Sequence, residues 1–176
     1  MKKIYFIRAA KAEGFASGIS DYERSLKPKG LKEIKTIGSY LALQNISIDV
    51  ILSSYSMRAQ ETVVELDKIL SFDTKKQFLE ELYYKPYEEV FDIIMAQDDE
   101  DNTLLIVGHY PQLNELINAL SSELINNIPN MGVVSLEFDI NEWSDLKNSK
   151  AKLDFFIYPK QFKYYMPHQI RATLSL

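Results

Sequence analysis

The sequence predicts an α/β protein: a three-layer α/β/α sandwich with a mostly parallel sheet of about six strands and one antiparallel element at an edge. Three observations carry this. Short apolar runs rich in Ile, Val and Leu recur along the chain. Stretches of helical period fall between them, and the last two runs follow each other with no helix between. At 176 residues, 1–176 is expected to form a single domain that buries a core without staples.

The runs at 4–7, 48–52 and 104–107 are continuous, as strands covered on both faces should be. A weaker strand is expected at 77–79. The runs at 133–138 and 153–157 flank a loop containing Trp143, which predicts antiparallel pairing. A helix starting near Pro28 places Leu31, Ile34, Ile37, Tyr40 and Leu41 on one face. A second, capped by Ser56, does the same with Val63, Leu66, Ile69 and Leu70. Val90, Phe91 and Ile94 mark a shorter helix, and Leu113, Leu116, Ile117 and Leu120 another. All these stripes read as core packing. Residues 97–102, four of them acidic, read as a solvated loop. The tail 160–176, with Tyr164, Tyr165, Pro167 and Arg171, has no clear period. Packing on the body and reaching toward a partner are both open for it.

Composition narrows the function classes. A formal net charge of −5 repels a phosphate backbone, so no nucleic acid partner is expected. The absence of cysteine removes disulfides and thiolate metal sites, and two histidines alone argue against structural zinc. No run approaches the ~20 apolar residues of a membrane span, and the N-terminus lacks a signal-peptide pattern. No membrane association and a cytoplasmic location are the expectations.

Ligands of open α/β sheets bind beyond the carboxyl ends of the strands. Arg8 ends the first strand there, and His109 follows Gly108 at the end of another, with Pro111 opening the next helix. Arg58 falls on the first turn of the helix after the serine-rich turn 53–56. Two guanidiniums and an imidazole at one rim suit a phosphoryl group, because arginine offers planar paired donors and stays charged. A helix N-terminus adds backbone N–H groups, and Gly108 allows close backbone approach. Each signal alone is weak; the combination points to phosphate chemistry.

In this order and spacing the motifs resemble those of the histidine phosphatase superfamily (phosphoglycerate mutase-like), and within it the small SixA-type phosphohistidine phosphatases. The resemblance spans 1–159. It comprises the strand ending in Arg-His-Ala, here Arg8, Ala9 and Ala10, and an Asp-x-x-Arg-x-Leu-x-x-x-Gly stretch from Asp21 to Gly30. It continues through the strand at 49–54 into Arg58, Ala59, Gln60, Glu61 and Thr62, then Leu82 and Tyr83, then Gly108 and His109.

The resemblance implies a nucleophilic histidine at position 9 that becomes a phosphohistidine, which water then hydrolyses. Arg8, Arg58 and His109 would hold the phosphoryl oxygens, with no cofactor and no metal. Position 9 is alanine, so no covalent intermediate can form and this chain is expected to be inactive. His109 would lie against the oxygens and so would not replace the nucleophile.

Two origins of Ala9 are open. One is an engineered His-to-Ala substitution, favoured because no single base change converts one codon into the other and the other pocket residues are in place. The second is a natural pseudoenzyme that binds phosphorylated partners. Secondary site residues are Ser17 and Arg24 for substrate binding and Glu80 or Glu81 as general acid, a group that SixA-type enzymes commonly lack. The short stretch between Ala10 and Gly30 leaves little to build a lid. The implied substrate is therefore phosphohistidine on a phosphotransfer or signalling protein, with inorganic phosphate or an analogue as pocket ligand. A small-molecule phosphomonoesterase is the alternative.

Overall fold

The first strand, β1 (Lys2–Arg8), lies inside a six-stranded sheet. The computed structural model describes residues 1–165, with side chains through Lys163. On one side β1 pairs in parallel with β4 (Thr103–Gly108), followed by β2 (Val50–Ser54) and the edge strand β3 (Lys75–Leu79). On the other side β5 (Val133–Phe138) runs antiparallel to it, and β6 (Lys152–Ile157) closes that edge. The sheet order is β3-β2-β4-β1-β5-β6. The expected antiparallel element at one edge is the β5–β6 pair. The strand opposed to all others is β5, one in from the edge.

Helices cover both faces. α1 (Pro28–Leu43) and α2 (Met57–Leu70) pack over Tyr5, Ile7, Ile51, Leu105 and Val107. α3 (Tyr87–Met95) and α4 (Gln112–Leu120) pack over Ile4, Phe6, Leu52, Leu104 and Ile106. Successive strand residues thus enter opposite cores, which is why these strands read as unbroken apolar runs. β3 lacks such a run because it is an edge strand with mostly exposed side chains.

Most predicted stripes face the core, with one exception. Leu31, in the first turn of α1, is 38% exposed, whereas Ile34, Ile37 and Leu41 are buried. Ser56 caps α2 as its type suggests, its hydroxyl accepting the Ala59 N–H at 3.3 Å. The start of the tail is a short helix, α5 (Pro159–Tyr165), whose buried Phe162 meets the Tyr40 ring edge-on at 5.0 Å. Pro167, Arg171 and the side chains of Tyr164 and Tyr165 lie outside the described residues.

The acidic loop 97–102 does more than face solvent. The carbonyls of Asp99 and Asp101 accept the buried Lys2 ammonium at 2.5 and 3.2 Å. The Asp99 carboxylate accepts the Trp143 backbone N–H at 2.7 Å, fixing that buried indole under the sheet.

The carboxyl ends of β1, β2 and β4 therefore meet at one edge, and two chain segments frame it. After β1, Lys11 and Glu13 bond back to residues 25–27, with Lys27 N–H donating to the Lys11 carbonyl at 2.9 Å. This brings α1 so close that a Cβ on Gly30 would sit 2.5 Å from the Lys11 carbonyl oxygen. Backbone cannot yield cheaply to such an overlap. Gly30→Ala is expected to lose about 1–3 kcal/mol of unfolding free energy in urea titrations. Gly14→Ala, where the added atom meets open space, should stay within about 0.5 kcal/mol of the parent.

Candidate active site

Arg8, Ala9, Arg58 and His109 line one cavity of about 220 Å³, together with Arg24, Tyr84 and Asn130. Arg8 is delivered by the last position of β1, Arg58 by the first turn of α2, and His109 by the residue after β4. Position 9 itself is nearly closed to solvent. Its backbone is fixed on both sides: Ala9 N–H donates to the Gly108 carbonyl at 2.9 Å, and the Asn130 amide donates to the Ala9 carbonyl at 2.9 Å. The next N–H, of Ala10, donates to the Thr62 hydroxyl at 3.1 Å, which in turn donates to the Arg58 carbonyl at 2.7 Å. Thr62 thus ties the end of β1 to the turn that carries Arg58.

Arg58 is buried, and Asp21 holds it there. Its guanidinium donates to the Asp21 carbonyl at 2.9 Å and to the Asp21 carboxylate at 3.1 Å. The other carboxylate oxygen accepts Arg24 at 2.6 and 3.1 Å, and Tyr83 donates its hydroxyl to the same carboxylate. Burial alone would raise the Asp21 carboxyl. The Tyr83 hydroxyl and the two guanidiniums outweigh that and hold it at about 2. Burial and the neighbouring carboxylate push Tyr83 the opposite way, up to about 12.

His109 is buried and its Nε2 lies 2.8 Å from the Ser54 hydroxyl and 3.1 Å from that of Ser56. Both hydroxyls already accept a backbone N–H, from Ser56 and Ala59, so their own protons are free to donate. This favours the tautomer with the proton on Nδ1. Burial, then the nearby Arg58 and Arg8, lowers the imidazole to about 3, so it is neutral near pH 7. Gly108 serves packing here: its Cα side faces Leu113 and Leu82, where a Cβ would come within 3.3 Å.

Arg8 has no carboxylate partner among the described residues. It donates to the Ile128 carbonyl at 2.8 Å and lies 5.5 Å from the Tyr110 ring centre. Burial and the charge of Arg58 lower its pKa. The cavity as a whole is lined by Arg8, Lys11, Arg24 and Arg58 and by no acidic side chain. Such an arrangement is built for a compact, oxygen-rich anion. Among the described residues, no three His, Asp or Glu side chains converge to hold a metal ion, and no helix is long and apolar enough to cross a membrane.

The structure thus brings together Arg8, Ala9, Arg58, His109 and Arg24. Arg24 lines the cavity and also pairs with Asp21. Ser17, exposed in a turn with Gly18, and Glu80 and Glu81, on a short 3-10 turn, are not among the lining residues.

Sequence reading missed Tyr84, Asn130 and the serines behind His109. Tyr84 adopts a left-handed φ of 57°, and its hydroxyl oxygen accepts a hydrogen bond from the Arg58 guanidinium at 3.0 Å. The Gln112 amide pins this bend by donating to the Glu81 carbonyl at 2.6 Å and the Lys85 carbonyl at 2.5 Å. The one legible hint was Gln112, a polar residue at the start of an otherwise apolar stripe.

Two acid-sensitive groups should separate by pH. Asp21 titrates at about 2, below its ordinary 3.8, so its contribution is present above pH 4 and lost as pH falls through 2. Asp21→Asn is expected to cost about 1–2 kcal/mol at pH 7 and to flatten that acid limb. His109 titrates below its ordinary 6.5, so the unfolded chain takes up its proton first. Stability should therefore decline as pH drops from 6.5 toward 3. Inorganic phosphate should raise the His109 pKa by offsetting the arginines, which an NMR titration of the ring would read directly. An unchanged pKa would mean that the anion does not bind beside His109.

No protein-family model matches the chain. An uncharacterised protein of Mycobacterium leprae is 28% identical over 162 residues, covering 87% of this chain and 98% of its own length. The structure of the protein histidine phosphatase SixA complexed with tungstate superposes with a TM-score of 0.80 at 21% identity, over 91% of this chain and 99% of that one. A SixA from Agrobacterium tumefaciens, described as a phosphohistidine phosphatase, gives 0.78 at 25% identity over 90% and 98%. The chain thus has the fold of the histidine phosphatase superfamily, with SixA phosphohistidine phosphatases among its strong structural matches.

Proposed function

We propose that the fold is that of a phosphatase for phosphohistidine carried on cytoplasmic phosphotransfer proteins, with position 9 as the nucleophile's place. The chain with Ala9 then holds a phosphoryl group and does not turn it over. The observation that carries this is the convergence of Arg8, Arg58 and neutral His109 on Ala9, in a cavity without carboxylates.

With histidine at position 9, an imidazole nitrogen attacks phosphorus while the P–N bond to the substrate imidazole breaks. The bonding pair stays on the departing nitrogen. A substrate ring already protonated on its other nitrogen leaves as neutral imidazole and needs no acid. That agrees with Glu80 and Glu81 lying outside the cavity lining. Water then attacks the enzyme-bound phosphorus, the second P–N bond breaks, and phosphate departs. Arg8 and Arg58 stabilise charge on the phosphoryl oxygens throughout. With alanine, the first bond cannot form. His109, held from behind by Ser54 and Ser56, supports an oxygen-binding role and does not supply a substitute nucleophile.

Ala9 itself favours a second reading, a non-catalytic module that binds phosphorylated partners. Ala9→His separates the readings. Hydrolysis of a phosphohistidine protein is expected to rise by about three orders of magnitude or more. Adding Arg58→Ala should then remove about 10²–10³ of the gain. Faster turnover of a simple phosphate ester than of the phosphoprotein would instead indicate a small-molecule phosphomonoesterase. An inert Ala9→His chain that still binds tungstate would establish the binding module.

A further inference from the structure

The cavity is small for a pocket that must take a whole ligand. At about 220 Å³ it falls below the ~300–1,000 Å³ of sites that engulf a small molecule. It therefore encloses a phosphoryl group and leaves the rest of the substrate outside. Exposed aromatic side chains border the cavity. Tyr84 and Tyr110 line the cavity and yet are 49% and 46% exposed. Phe15, 80% exposed, stacks on Arg24, its ring centre 4.6 Å from the guanidinium carbon. Exposed Tyr22 joins them through ring contacts with Tyr55 and Tyr83, the latter packed on Tyr84. Exposed Ile19 and Met57 lie beside them in the chain, next to the segments carrying Asp21 and Arg58.

These six account for half of the twelve large apolar side chains left exposed among the described residues. The remainder include isolated positions such as Met1, Leu43 and Leu124. Scattered exposure of that kind needs no explanation, but a ring of aromatics around a charged centre does.

We infer that this aromatic rim is the docking face for a folded protein whose phosphorylated side chain projects from an apolar patch. The inference rests on the phosphoprotein reading above. Aromatic, Met and Arg side chains are those enriched where protein interfaces concentrate their energy. Here two of the aromatics, Phe15 and Tyr110, rest directly on cavity arginines, so a partner seated on the rim touches the groups that hold the phosphoryl oxygens. Charge complementarity selects the occupant. The cationic centre wants a phosphoryl anion inside an apolar ring. A second copy docked by the same face would oppose Arg8 and Arg24 with like charges and offer no phosphoryl group.

The test uses the chain with Ala9, which binds without consuming its ligand. Titration calorimetry would compare tungstate, free phosphohistidine and a phosphotransfer protein phosphorylated on histidine. The phosphoprotein is expected to bind at least about ten-fold tighter than free phosphohistidine. Phe15→Ser combined with Ile19→Ser should remove that excess and leave tungstate affinity within about two-fold. Both positions are exposed, and unchanged thermal unfolding would confirm that the fold is intact. Equal affinity for phosphoprotein and free phosphohistidine would overturn the docking face while leaving the pocket reading standing. Concentration-dependent dimerisation abolished by Phe15→Ser would overturn it in favour of a second copy. Failure to bind tungstate at all would remove the pocket reading, and this one with it.

Discussion

Two guanidiniums held side by side repel each other unless a counter-charge lies against both, and in this chain that counter-charge is Asp21. One of its oxygens takes Arg24, the other takes Arg58, and Tyr83 donates to it as well. The arrangement joins the loop before α1, the start of α2 and the bend after β3 in one network. Asp21 is thereby fully engaged by Arg24, Arg58 and Tyr83 and does not line the cavity. The faces of Arg24 and Arg58 toward the cavity stay uncompensated, and Arg8 adds a third positive group with no acidic partner of its own. The site is thereby stable as a structure and unsatisfied as an electrostatic environment, which is the condition for selective anion capture.

His109 completes this logic by remaining neutral. A protonated imidazole beside Arg8 and Arg58 would add a further cation to a site whose one nearby carboxylate, Asp21, is already paired with Arg58 and Arg24. Desolvation and the two guanidiniums keep the ring uncharged until an anion arrives. Ser54 and Ser56 fix its orientation in the meantime, and Ser56 does so while also capping α2. One serine thus couples the geometry of the imidazole to that of the helix turn presenting Arg58.

Much of this was legible in the sequence because the physics is local. Strands covered on both faces produce continuous apolar runs, so β1, β2 and β4 announce themselves, and their carboxyl ends locate Arg8, Arg58 and His109. β3, an exposed edge of the form Lys-Lys-Gln-Phe-Leu, carries no such signature. Leu31 was misjudged because the first turn of α1 leaves its side chain largely in solvent. Asn130 comes from an irregular stretch before β5 with no period to follow, and only the pairing of Met131 and Gly132 with Arg8 brings it to position 9. Tyr84 depends on a left-handed backbone bend in a non-glycine residue, which local propensity argues against. Long-range hydrogen bonds created these two contributions, and no short window of sequence contains them.

The three bonds that fix the backbone around position 9 come from the Gly108 carbonyl, the Asn130 amide and the Thr62 hydroxyl. None of them involves the side chain at position 9. The backbone bonds at position 9 are therefore independent of the side chain carried there. With position 9 as the nucleophile's place, as proposed, the alanine form would leave a bound phosphoryl ligand only dissociation as its exit, and residence time would be set by release. On that proposed function, a catalyst and a receptor would differ on this framework by one imidazole.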